Sequence, residues 1–479
     1  MAINKKISIA IALLLLTALF TFFNWLRLEY LSLFPISLLF IYLAIFQTEK
    51  FFLFIAFLTP LSVNIEEYVD GFGLYLPTEP LLFGFMLWFL FLQLKKPFLD
   101  PHIWRHPIII TVLAYLTWML ITSITSSDPI VSFKFLLSKL WFIVPVLIFG
   151  TYFFKNHENR VRFLWYFIAA CSLVVCYTIV HHSKYGFGEE EGHWVMWPFF
   201  KDHTIYGAII ALCLPISLAL LKQKGRPALS KAILIIINLV LIIGLIFSYT
   251  RAAWLSIICA AFVGALVYFK VSFKLLFCVA LIAFGTLYAQ WDKIQMVLAK
   301  NTHEHTTEAF DEKIQSAANV TTDASNLERI NRWDCAYQMF KKKPLLGFGP
   351  GTYAFEYAAF QDPENLTIIS TNFGDMGNAH SEYLGSLSES GLIGMLLFMS
   401  IVAAVFYSSI RLYHRYDKNN DVKILVMGII VSLASYFIHA FLNNYLDTDK
   451  AAIPIWAMCA MVVTMTNNLS ASDQSTERG

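Results

Sequence analysis

Charge is scarce in this sequence. Only 14% of its 479 residues are Asp, Glu, Lys or Arg, where soluble chains run near a quarter, so a string of water-soluble domains is excluded. The 35 basic and 33 acidic residues leave a formal net charge of +2, which provides no footprint for nucleic acid. Cysteine offers no disulfide framework: Cys171, Cys176, Cys213, Cys259, Cys278 and Cys459 fall inside apolar runs. Cys335 stands alone in a polar stretch, where it reads as exposed and lacks an intramolecular partner. Metal-ligand spacing is missing too, since His303, His305 and His380 are dispersed and Cys171 with Cys176 has no neighbouring His or carboxylate. The glycines of residues 347–351 lack the strand, the helix and the Lys-Ser/Thr of a phosphate-cradling loop, and read as a structural turn. The basic start at Lys5 and Lys6 leads into an apolar run from Ile7 with no small-residue cleavage site, which predicts a retained span.

What the sequence has in abundance is apolar length. It is 58% hydrophobic, with 43 Phe, 22 Tyr and 12 Trp, a composition suited to lipid and to the headgroup level where aromatic rings gather. Runs near the roughly 20 residues that cross a bilayer recur. They fall at about 7–26, 28–46, 51–63, 80–94, 107–124, 135–154, 161–181, 205–221, 231–249, 252–270, 272–290, 391–412, 423–441 and 451–466. The expectation is an all-α, polytopic transmembrane bundle of about 12–14 spans. It divides into a bundle over 1–290, an enclosed extracytoplasmic and mainly helical segment over 291–390, three more spans over 391–466, and a disordered cytoplasmic tail over 467–479.

Basic residues set the orientation. Threading from a cytoplasmic N-terminus puts Lys95, Lys96 and Arg105, then Lys155, Arg160 and Arg162, then Lys222, Lys224, Arg226 and Lys231, then Lys270 and Lys274, then Arg411, Arg415, Lys418 and Lys423 on the inner side. The alternate connections are acidic or neutral, with Glu66, Glu67 and Asp70, Glu189 to Glu191, and Asp447. The polar stretch 291–390 therefore lies outside the cytoplasm. Within it, 301–323 reads as a loop. Ser325-Asn326-Leu327-Glu328 is a capping-box signature for a helix ending near Phe340, Pro344 and the following glycines turn the chain, and 378–390 reads as a short helix entering the next span.

Three constellations carry potential chemistry. Arg251, in Ser248-Tyr249-Thr250-Arg251-Ala252-Ala253-Trp254, interrupts two apolar helices at their outer ends; it either snorkels to headgroups or clamps an anion with its five fixed donors. Arg329 and Arg332 share a helix face beside Trp333, which suits either a multiply charged anion or an ordinary surface paired with Glu328 and Asp334. In Asn378-Ala379-His380-Ser381-Glu382-Tyr383-Leu384, His380 would sit above the bilayer on an ordered element, as a structural imidazole or as one that takes a proton from a hydroxyl. Lys201, Asp202 and His203 form either a substrate entrance or a solvated loop.

Together these segments resemble the O-antigen ligase and polymerase family of bacterial envelope glycosyltransferases, most like the ligases. The resemblance is carried by residues 248–254, by Arg329 to Trp333 with Pro344-Leu345-Leu346-Gly347-Phe348-Gly349, and by Asn378-Ala379-His380-Ser381 with Glu389-Ser390-Gly391-Leu392-Ile393-Gly394. It implies transfer of a glycan from undecaprenyl diphosphate to an acceptor hydroxyl, the lipid A core for a ligase, without cofactor or metal. The active site would be on the periplasmic side of the inner membrane. By this resemblance Arg251, Arg329 and Arg332 bind diphosphate, His380 takes the acceptor proton, and displacement is inverting. Tyr249, Trp254, Lys201, His203, Trp333, Ser381 and Tyr383 are candidates to line the substrate path. The alternatives are a polymerase of the same family, whose acceptor is a second carrier-linked glycan, and a lipid-linked glycan transporter, although transporters gather charge at the bilayer midplane instead of its edge.

Overall fold

A computed structural model describes residues 17, 20, 21, 29–66, 73–272, 324–361, 377–416 and 421–476. The expected spans at 7–26 and 272–290 lie almost wholly outside these residues, as do Glu67, Asp70, Cys278, His303, His305 and the stretch 301–323.

The described chain forms α1 (Glu29–Phe46), α2 (Thr48–Leu61), α3 (Thr78–Lys95), α4 (Pro107–Ile124), α5 (Pro129–Phe153), α6 (His157–Ser183), α7 (His203–Lys222), α8 (Ala228–Ile246), α9 (Arg251–Tyr268), α10 (Ala324–Lys342), α11 (Glu382–Arg415), α12 (Asp421–His439) and α13 (Asp449–Thr476). Among the described residues, 9 of these helices are long and apolar enough to cross a membrane. A short antiparallel ladder, β1 (Val63–Asn64) with β2 (Tyr75–Leu76), joins α2 to α3. The polytopic all-α bundle is therefore the observed fold.

Polar residues at the helix starts decide where many of these elements begin. Asp128, Asn156, Asp202 and Ser381 each accept hydrogen bonds from the first free backbone N–H groups of α5, α6, α7 and α11, which lipid would leave unsatisfied. Pro145 cannot donate to the helical ladder, and it sits in a π-helical stretch at Ile143–Phe149 that interrupts α5. Burial does not follow apolarity. Only 33% of the very apolar α8 is buried, against 83% of the more polar α13, because lipid covers the outer helices and the bundle interior receives the polar ones.

The start of α13 is pinned by charge. The Lys450 ammonium donates to the Thr59 and Ser62 carbonyls, both at 2.7 Å, while the Asp449 carboxylate accepts from the hydroxyls of Ser62 and Thr78. Both ionisable side chains are buried, and together they tie α2, α3 and α13 into one corner.

Several boundaries differ from expectation. The span expected at 391–412 begins at Glu382 and bends at Gly391, whose φ of 69° and ψ of −173° interrupt the helix. The short helix expected over 378–390 thus shrinks to the first turns of α11, leaving His380 outside it. α10 starts at Ala324, ahead of the expected Ser325 cap, and the final helix continues to Thr476, past 466. Cys335, expected to be exposed, is buried in a second small core with Ala336, Met339, Phe348, Tyr353, Tyr357 and Ala379.

Candidate functional site

That second core carries the polar cluster. α10 presents Glu328, Arg329, Arg332 and Trp333 on successive turns. The Arg332 Nε donates to Glu328 Oε1 at 2.7 Å, its Nη1 to the Asn378 carbonyl at 3.2 Å, and its guanidinium lies 5.1 Å above the Tyr357 ring. Tyr353 donates its hydroxyl to the Arg332 carbonyl at 2.8 Å. Burial pushes the Cys335 thiol in this core up to about 12, so it stays an unreactive apolar filler.

His380 is positioned by a turn and not by a helix. Its own N–H donates to Asn378 Oδ1 at 3.0 Å, an Asx turn, and its φ of 46° is left-handed. Its carbonyl accepts from Trp333 Nε1 at 3.4 Å. The ring Nδ1 lies 3.4 Å from Asn443 Oδ1, and Asn443 Nδ2 lies 3.0 Å from Nε2 of His439, the last residue of α12. Burial and then the charges of Arg332 and Arg329 push His380 down to about 4, so the ring is neutral at physiological pH.

The membrane-edge arginine arrives at the same place. Arg251 opens α9, and the ring of His439 lies beside the backbone of the next residue, Ala252. Thr250 donates its hydroxyl to the His203 carbonyl at 2.7 Å, bringing the start of α7 alongside. The charge of Arg329 is felt at His203, His380, His439 and Tyr445, so α7, α10, α12 and the His380 turn converge around it.

The glycine turn proves to be scaffold. The N–H groups of Phe348 and Gly349 donate to the carbonyls of Ser388 and Glu389 at 3.1 and 2.8 Å, and that of Leu392 donates to the Pro344 carbonyl at 2.9 Å. Trp118 Nε1 holds the Ser390 carbonyl at 2.8 Å. Residues 344–351 and the Gly391 bend thus form one clasp that fixes the start of α11.

The remaining candidates have other partners as well. His203 stacks on His193 at 4.2 Å, and Lys201 pairs with Glu66 at 3.3 Å. Tyr249, Trp254 and Tyr383 donate to the carbonyls of Phe187, Leu245 and Phe437. Ser381 caps α11 and also lines a cavity of about 260 Å³ next to His380. The walls of this cavity include Glu382, Glu389, Asp447, Asn444 and Lys139. A larger cavity of about 460 Å³ lies at the other end of the bundle, between the α1–α2 junction, α3 and α5, and has no His or Arg in its lining. It is remote from the polar cluster. Sequence reasoning missed Glu382, which accepts from Tyr436, Tyr445 and Leu446, and it missed His439 and Asn443. Their available signal was polarity at helical spacing at the end of an apolar span. Among the described residues there is no grouping of three or more His, Cys, Asp or Glu that could hold a metal ion.

In this multi-pass membrane protein, guanidiniums and a neutral imidazole thus gather at one end of the bundle, a donor set of the kind that suits an anion. Residues 236–399 match the family model for O-antigen ligase, so over that stretch the chain is similar to this family of glycosyltransferase-type enzymes. No curated protein matches the chain.

Proposed function

We propose that this protein transfers a glycan from undecaprenyl diphosphate to a hydroxyl of the lipid A core, as a ligase at the periplasmic face of the inner membrane. The observation that carries the reading is the convergence of His380, Arg329, Arg332 and the Arg251 end of α9. Orientation is supported by the basic helix ends. Lys95, Lys222, Arg411 and Arg415 occupy the ends of α3, α7 and α11 opposite the cluster, and such ends face the cytoplasm.

In the transfer, the acceptor hydroxyl oxygen bonds to the anomeric carbon as the bond from that carbon to diphosphate breaks and the electron pair leaves with the phosphate. The hydroxyl proton passes to His380, and displacement from the opposite face inverts the configuration. Arg329 and Arg251 stabilise the charge growing on diphosphate, a task that needs no metal ion in this scheme. Arg332, already held by Glu328, orders the cluster as well as adding charge. Bound diphosphate also offsets the guanidinium field at His380, strengthening the base when donor is present.

Purified protein assayed with carrier-linked glycan and defined acceptors tests this. His380→Ala should abolish transfer while donor binding persists, and Arg251→Lys should also fail because a point charge cannot reproduce the guanidinium fork. Full turnover by His380→Ala removes the mechanism. In a deletion strain, loss of polymer length with single repeats still on the core would replace ligase by polymerase.

A further inference from the structure

Asn443 stands between two imidazoles, with Oδ1 toward His380 Nδ1 at 3.4 Å and Nδ2 toward His439 Nε2 at 3.0 Å. Both Asn443 and His439 are buried, at 3% and 1% exposure, so water does not substitute for either partner. Neither residue falls within 236–399. A carboxamide has a donor side and an acceptor side, so the two contacts are not independent. When Nδ2–H donates to His439 Nε2, Oδ1 is left to accept from His380, whose proton must then sit on Nδ1. The His380 Nε2 keeps its lone pair. With the amide turned over, Asn443 would donate to Nδ1 and the proton would move to Nε2, blocking the nitrogen that has to accept.

We propose that Asn443, oriented by His439, is a positioning residue that sets the tautomer of His380 and leaves Nε2 free as the base. This rests on the reading of His380 as proton acceptor. Arg329, Arg332 and Glu328 face the same imidazole from α10, and both arginines oppose its protonation. Asn443 Oδ1 is the neutral acceptor available to the Nδ1–H of the imidazolium formed during transfer. His439 in turn lies beside the Ala252 backbone, next to Arg251, but its Nδ1 makes no hydrogen bond there, so the start of α9 adjoins this pair by packing alone.

Asn443→Ala should lower kcat by about 10–100-fold, the range for losing an orienting partner, with donor affinity near wild type and a lower melting temperature from the two buried ring nitrogens it leaves unpaired. Asn443→Asp keeps an acceptor at Nδ1 and adds negative charge, so it should recover most of the rate and move the acid limb of the pH–rate profile upward. His439→Gln, which retains an acceptor for the amide, should outperform His439→Leu. Unchanged kcat in Asn443→Ala, or no alkaline displacement in Asn443→Asp, overturns the proposal even where Asn443→Ala folds poorly. If His380→Ala remains active, the function reading fails first. If His380→Ala is dead while the Asn443 variants behave as wild type, the relay alone fails.

Discussion

Arg332 and Glu328 stand one helical turn apart on α10 and close a buried ion pair at 2.7 Å, with side-chain exposures of 7% and 5%. The pair is the floor of the candidate site, because the same guanidinium reaches the Asn378 carbonyl two residues before His380.

Removing one member of such a pair leaves an uncompensated charge. Glu328→Leu is expected to destabilise the segment by about 3–5 kcal/mol, read as a lower melting temperature in detergent. Glu328→Leu combined with Arg332→Met should recover much of the stability but not the transfer activity.

His380 must be neutral to take a proton, so activity is lost as pH falls through its pKa. In free enzyme that value is pushed down to about 4 by burial and the two arginines. The acid limb of kcat/KM, which reports free enzyme, should therefore lie near pH 4. The limb of kcat should lie higher, because bound diphosphate compensates the guanidinium charge. Coincident limbs would show that the donor does not reach these arginines. The same depressed pKa gives a stability contribution that is full above about 6.5 and lost as pH falls through about 4.

Gly391 adopts a backbone conformation that costs other residues about 1–3 kcal/mol, and a Cβ there would sit 2.1 Å from the Leu345 carbonyl oxygen. Gly391→Ala should open the clasp, lower the melting temperature and expose the run Lys341 to Lys343 to trypsin. Gly385→Ala, whose nearest neighbour would be 3.8 Å away, should be neutral or slightly stabilising.

Lys450→Met leaves the fully buried Asp449 carboxylate facing Ser62 and Thr78 without its cation. The expected loss is again about 3–5 kcal/mol, measured by unfolding in detergent, and Asp449→Asn in the same chain should return part of it.

Apolar run length, and the scarcity of charge between runs, determined by themselves that this chain is a helical membrane bundle. Lipid satisfies no backbone group, so long apolar segments have one local solution, and the expected boundaries at 107–124 match α4 residue for residue. Local residue type likewise singled out Arg251, Arg329, Arg332 and His380 as candidates for chemistry. Only the tertiary structure decided what these residues meet. That Arg332 reaches the Asn378 carbonyl, that the glycine turn clasps Gly391, and that Asn443 and His439 stand behind His380 depend on contacts between residues up to 63 positions apart. Such contacts are set by how helices pack, and no local spacing in the sequence encodes them.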